Sequence, residues 1–148
     1  MIGGLVTVNN LTNFIRIVLS QSKLAMEKGE IPVASVIVDP IDERVVARSF
    51  NQEIALNDPT AHAEILSIRK ACKKLNQKRL DGLVMICNLE PCNMCKEVIK
   101  SARLSKVYYL FKNDNPRRKT ISTIKYKLIE NNEENLIKKF FRNKRTKN

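Results

Sequence analysis

At 148 residues the chain has the length of one domain, able to bury roughly two-thirds of the surface its unfolded form exposes and so in no need of disulfide staples. No run of about 18 apolar residues occurs, and the opening MIGGLVTVNN lacks the basic segment, apolar run and cleavage site of an export signal; both argue against a membrane association and predict a soluble, cytoplasmic protein. The formal charge of +12 is unevenly placed, with 12 Lys/Arg against 4 Asp/Glu over residues 112–148, which admits an anionic polymer as partner and equally a merely solvated basic face.

Leu11, Phe14, Ile15, Val18, Leu19, Ser22, Ala25 and Met26 recur at three- and four-residue steps, which predicts a first helix with Asn9 and Asn10 as capping candidates and Gly29 at its end. Val33–Val38 and Arg44–Arg48 read as adjacent antiparallel strands, because Asp39-Pro40-Ile41-Asp42 between them carries turn residues. After a loop from Asn51 to Pro59, the stripe Ala61, Ile65, Ile68, Cys72, Leu75 predicts a second helix, with Thr60 as N-cap and His62 in the first turn. Leu83–Cys87 suits a buried strand, Cys92–Ala102 a third helix, and Lys106–Phe111 another strand.

Residues 112–120, KNDNPRRKT, form a polar basic loop, and Ile121–Leu128 fits either a last strand or the start of helical structure. A final basic helix is expected at about 132–146, opening on Asn132-Glu133-Glu134 so that acids sit at its start and bases at its end. The order α-β-β-α-β-α-β implies a single layered α/β sandwich over residues 1–148.

His62 is the only histidine in the chain, Glu64 follows two places later, and Pro91-Cys92-Asn93-Met94-Cys95 lies downstream. A histidine and a CxxC supply three ligands, the number a catalytic zinc takes when its fourth tetrahedral position is left to water. Cys92 and Cys95, three residues apart at a helix start, share a face, and the helix N-terminus favours both thiolates. Glu64 cannot be a fellow ligand by proximity alone, since residues two apart on a helix diverge, but from the first turn it can lean over the open position as a general acid/base. A redox pair or a structural zinc are the other readings of CxxC; a structural site wants a fourth ligand, which only Cys87 is placed to give, because Cys72 belongs to the helix stripe.

His62-Ala63-Glu64 with Pro91-Cys92-x-x-Cys95 resembles the H-x-E…P-C-x-x-C signature of zinc-dependent nucleoside and nucleobase deaminases. The likeness runs from about residue 11 to 111 through Ile31-Pro32-Val33, Asn51, Asp58-Pro59-Thr60-Ala61 and Leu89-Glu90, and within that superfamily it looks most like the bacterial tRNA adenosine deaminases. Phe140-Phe141-Arg142-Asn143-Lys144-Arg145 resembles the C-terminal helix with which those enzymes hold an anticodon stem-loop; its plainer reading is a packing helix with Leu136, Ile137, Phe140 and Phe141 inward. The resemblance implies a three-layer α/β/α sandwich around a mixed sheet of about five strands and one Zn²⁺ per chain held by His62, Cys92 and Cys95. It implies Glu64 as the catalytic proton carrier in converting adenosine to inosine, Asn51 and the Ala63 backbone as substrate contacts, and a homodimer. For RNA it points to Lys112, Arg117, Arg118, Arg142, Lys144 and Arg145.

The sequence departs from that subfamily where Tyr109 continues into Leu110-Phe111-Lys112-Asn113 and Asn115-Pro116-Arg117-Arg118-Lys119 replaces a glycine-rich piece, and more mildly at Ala34-Ser35. Two rivals follow. A free-base deaminase acting on guanine or cytosine shares much of the signature and would leave the basic tail without phosphates to meet. A noncatalytic zinc-containing RNA-binding subunit would have no use for Glu64.

Overall fold

In a computed structural model of the chain, residues 8–114 and 124–146 are described. The elements are α1 (Val8–Glu27), β1 (Ala34–Asp39), β2 (Arg44–Phe50), α2 (Ala63–Leu75), β3 (Val84–Leu89), α3 (Asn93–Ala102), β4 (Lys106–Phe111), β5 (Lys125–Leu128) and α4 (Leu136–Thr146). The strands form one sheet in the order β2-β1-β3-β4-β5. β1 runs antiparallel to both neighbours, pairing Ser35 with Ser49 on one side and with Cys87 on the other, while β3, β4 and β5 are parallel. The mixed five-stranded sandwich is the architecture expected.

The strands read as apolar runs because both faces are covered. Val36, Val38, Val84, Ile86 and Tyr108 point to one side and pack on Phe14 and Val18 of α1. Their neighbours Ile37, Met85, Val107 and Tyr109 point to the other and pack with Ile65, Ile68 and Ala71 of α2 and Ile99 of α3. Each such buried aliphatic side chain contributes roughly 1.5–3 kcal/mol. Ile37 is fully buried in this second layer, and its truncation to alanine would cost about 2–5 kcal/mol.

Several boundaries differ from expectation. α1 begins at Val8, which puts Asn9 and Asn10 inside it, and Gly29 (φ 77°) follows its end as expected. Thr60 is not the cap of α2, because its N–H and hydroxyl both donate to Asp58 Oδ1 (2.8 and 2.7 Å) and hold it in a turn; His62 takes the N-cap position instead. The expected helix at 132–146 begins only at Leu136. Asn135 Oδ1 accepts the N–H groups of Ile137 and Lys138, both at 3.1 Å, and so fixes the cap after Glu133 and Glu134 rather than before them. The open choice over 121–128 resolves to a strand in Lys125–Leu128; residues 121–123 lie outside the described residues.

Antiparallel β1 brings its first residues to the edge where β2, β3 and β4 end. Two buried polar side chains lock that edge. Asn88 accepts the Ala34 N–H (2.9 Å) and donates to the Pro32 carbonyl (2.7 Å). Ser35 Oγ donates to the Ala63 carbonyl (2.9 Å) and meets Ser67 Oγ at 2.7 Å, tying β1 to the start of α2. The Ala34-Ser35 departure thus has a use, since the hydroxyl joins the sheet to the helix that carries His62 and Glu64. α4 completes the same end, with Ile137 packed on Val33 and Ala63.

Candidate active site and metal centre

His62 and Cys92 occupy the N-cap positions of α2 and α3, both in extended backbone conformation, so two helices aim their positive ends at one point. Cys95, one turn into α3, is fully buried beside them. His62 Nδ1 lies 3.6 Å from Cys92 Sγ and 3.4 Å from Cys95 Sγ, and the three donor atoms lie within 4.8 Å of one another. Zn–S and Zn–N bonds of about 2.3 and 2.0 Å at tetrahedral angles place sulfur and nitrogen roughly 3.5 Å apart, so the donor set fits zinc in kind and in spacing. Cys87 is not a fourth ligand; its thiol is buried in the sheet and directed at the Tyr108 carbonyl. Cys72 packs against the α2 layer, as its place in the stripe predicts.

The three groups share protons in a way that anticipates a cation. Its hydrogen bond with Cys95, together with the nearby imidazole, holds the Cys92 thiol down at about 4, against the cost of burial. The hydrogen bond to Cys92 pushes His62 up to about 9. Cys95 is raised, first by its hydrogen bond to the Cys92 sulfur and then by burial.

Glu64 is 3% exposed and its Oε2 accepts from Cys95 Sγ at 3.4 Å. Burial raises its carboxyl above the ordinary range, which suits a group that must both take and return a proton. A cavity of about 380 Å³ opens over this cluster, in the size range of small-molecule clefts. Asn51, His62, Ala63, Glu64 and Cys92 line it, so the predicted metal and substrate residues converge on one chamber.

The chain belongs to the cytidine and deoxycytidylate deaminase zinc-binding family. That family's model matches residues 8–111, which takes in every residue of the cluster. The chain is 46% identical over 98 residues to the tRNA-specific adenosine deaminase of Agrobacterium fabrum, an alignment covering 66% of this chain and 63% of the relative; it thus spans less than two thirds of that relative's length. A solved structure from work on A-to-I editing by tRNA:A34 deaminases at the wobble position of transfer RNA aligns at TM-score 0.68 and 43% identity, over 70% of this chain and 74% of that one. The guanine deaminase of Bacillus subtilis aligns at TM-score 0.64 and 28% identity, over 91% and 93%. The family and the donor geometry together give the chain one zinc, held by His62, Cys92 and Cys95.

Residues for which the sequence suggested no pocket role also line the cavity: Glu53, Glu90, Asn113 and Phe141. Glu53 Oε1 is 2.5 Å from His62 Nε2. Glu90 accepts the Asn113 N–H at 3.3 Å and pairs with Lys96 at 3.6 Å, which closes the cavity wall at the ends of β3 and β4. Phe141, expected inward, is 41% exposed and shows its ring to the cavity, whereas Leu136, Ile137 and Phe140 are buried. Phe141 lies one turn beyond Ile137 on the same helix face, and both line the cavity.

Of the six cations expected at RNA, Arg142 and Arg145 line a groove of about 340 Å³ with Ile137, Lys138 and Phe141, and so border the cavity through two shared walls. Lys144 instead lies over the Phe140 ring, 4.7 Å from its centroid. Lys112 is exposed just beyond β4; Arg117 and Arg118 lie outside the described residues. Among the described residues no helix is long and apolar enough to cross a membrane.

Proposed function

We propose that this deaminase converts adenosine to inosine in tRNA, at the wobble position of an anticodon stem-loop, as a single catalytic domain. The observation that carries the reading is the basic α4 groove beside the cavity: Arg142 and Arg145 share Ile137 and Phe141 with the chamber that holds Glu64. A polynucleotide whose base enters the chamber has phosphates outside it, and arginines at the rim meet them. A free base has none.

When bound, zinc supplies a Lewis acid that makes water acidic enough to give up a proton near neutral pH. Glu64, desolvated and within reach of the Cys95 sulfur, receives that proton and delivers it to the purine nitrogen beside the carbon under attack. It then takes the second proton of that water, still on the oxygen added to the carbon, and passes it to the departing amino group as the carbon–nitrogen bond breaks, so that water and adenosine become inosine and ammonia. Asn51, 4% exposed at the end of β2, hydrogen-bonds the base, and the Ala63 backbone forms part of the wall. Ile31, Val33 and Leu89 give the base an apolar enclosure that excludes bulk water.

The decisive experiment measures inosine and ammonia with the zinc-loaded protein on an adenosine-bearing anticodon stem-loop, guanine, cytosine and free adenosine in parallel. Inosine in the stem-loop alone supports the reading. Turnover of guanine with an untouched stem-loop replaces the substrate while keeping the chemistry, a reading favoured by the length over which the guanine deaminase structure aligns. Cytoplasmic residence and a homodimer complete the proposal on family resemblance; sedimentation of the purified protein reads the second directly.

A further inference from the structure

The two ring nitrogens of His62 face chemically opposite partners. Nδ1 faces the two cysteine sulfurs at 3.6 and 3.4 Å, and Nε2 faces the Glu53 carboxylate at 2.5 Å. A carboxylate accepts hydrogen bonds, so the proton of a neutral imidazole belongs on Nε2, which leaves the Nδ1 lone pair directed at the sulfurs where a cation sits. His62 has no side-chain capping bond to orient it, so Glu53 is the side chain that holds the ring from behind.

Glu53 lies in the irregular segment between β2 and α2, where no ladder sets the backbone, and yet the chain is pinned on both sides of it. Gln52 N–H donates to the Ala61 carbonyl at 3.0 Å, joining the start of the segment to its end. The next two residues are gripped by Glu30, a carboxylate only 1% exposed whose two oxygens accept the N–H groups of Ile54 (2.9 Å) and Ala55 (3.0 Å). The Glu53 carbonyl itself accepts the Asp58 N–H at 3.0 Å. A buried polar side chain with two backbone donors is a costly device to spend on an irregular loop. Its consequence is to hold the loop from which the Glu53 carboxylate reaches His62 Nε2.

We propose that Glu53 is a positioning residue of the metal centre, an outer carboxylate that fixes the tautomer and ring orientation of His62, and that Glu30 is the anchor that holds Glu53 in place. Outer partners of this kind change metal affinity by about 10- to 100-fold when removed. The inference rests on the zinc site alone and is independent of which base the enzyme accepts.

The test is zinc affinity of the full chain by competition with a chromophoric chelator, for the wild type, Glu53→Ala, Glu53→Gln and Glu53→Asp. The expected result is a 10- to 100-fold loss for alanine, a smaller loss for glutamine, whose carbonyl still accepts the N–H, and the largest loss restored in part by aspartate. Because His62 is the only histidine, a long-range proton–nitrogen NMR spectrum of the zinc form reads its ring without assignment; metallated Nδ1 with protonated Nε2 is expected. Zinc affinity within twofold of wild type in a folded Glu53→Ala variant, or metal on Nε2, overturns the proposal. Should the alanine variant fail to fold, the near-isosteric glutamine change decides the affinity arm and the wild-type spectrum decides the geometry.

Discussion

The Glu64 carboxylate lies 3.4 Å from the Cys95 sulfur and is almost wholly buried, in the first turn of α2 and in the lining of the cavity. Burial raises its carboxyl, and the hydrogen bond from Cys95 and the nearby His62 imidazole oppose that rise only in part. A group placed this way is poised for proton transfer and costly for the fold. Replacing it by glutamine keeps the shape and removes the proton acceptor. Glu64→Gln is expected to retain a full complement of zinc and to lose about 10²- to 10⁴-fold in turnover, checked by metal analysis and inosine formation on the same preparation; undiminished turnover would remove Glu64 from the mechanism.

The same burial has a stability signature in the metal-free protein. The folded state holds the Glu64 proton more tightly than the unfolded chain does, because desolvation raises the carboxyl. Its contribution is therefore fully present below the unfolded value of about 4.3 and is lost as pH rises through the folded one. Glu64→Gln, neutral at every pH, should match the wild type in acid and become the more stable protein toward neutrality, by about 2–4 °C in Tm for each kcal/mol regained. Thermal melts of the two metal-free proteins from pH 4 to 8 measure this; a gap that narrows as pH rises would contradict it.

Zinc uptake must release protons, and the protonation of the ligands sets how many. Cys92, held at about 4, is already a thiolate at pH 7, whereas His62, pushed up to about 9, and the raised Cys95 thiol must each surrender one. About two protons are expected per zinc, with affinity rising roughly 100-fold per pH unit through the neutral range. Calorimetry in buffers of different ionisation enthalpy counts them, and a count near zero would mean that the ligands are already deprotonated before the metal arrives.

The metal ligands were legible from the sequence because their chemistry is tied to spacing: Cys92 and Cys95 one turn apart, and a single histidine at a helix start. The layers were legible because the strands are continuous apolar runs and the helices carry 3.6-period stripes. What periodicity cannot reach is the irregular backbone. Glu53 meets His62 from an irregular loop that Glu30, 23 positions earlier in the chain, grips at Ile54 and Ala55, a contact with no local sequence signal. Thr60 was misplaced as a cap for a related reason, since Asp58 two residues before it offered a competing turn, and Asn135 likewise cut α4 shorter than its charge pattern suggested.

Asn88 tests whether the edge that carries the site is held by polar locks. It is 1% exposed and bonds Ala34 N–H and the Pro32 carbonyl at once, so Asn88→Ala strands two backbone groups in a dry interior. A loss of about 2–4 kcal/mol is expected, read by denaturant unfolding, with a weakened substrate KM because Ile31 and Val33 lose their fixed position in the cavity wall. A change below about 0.5 kcal/mol would show that water replaces the amide without penalty.

The basic face of α4 offers the sharpest separation of substrates. Arg142 and Arg145 flank the groove next to the cavity, while Lys144 has its ammonium over the Phe140 ring, on another side of the helix. If the arginines meet phosphates, Arg142→Ala with Arg145→Ala should raise KM for a stem-loop at near-constant kcat, and the slope of log affinity against log salt should flatten by about 1.4–1.8, the value for two lost contacts. Lys144→Ala should move that slope less. A free-base substrate has no counterions to release, so the double change would leave its KM and its salt dependence where they were. An unchanged salt slope for the stem-loop would make these arginines ordinary solvated side chains and move the RNA surface elsewhere on the protein.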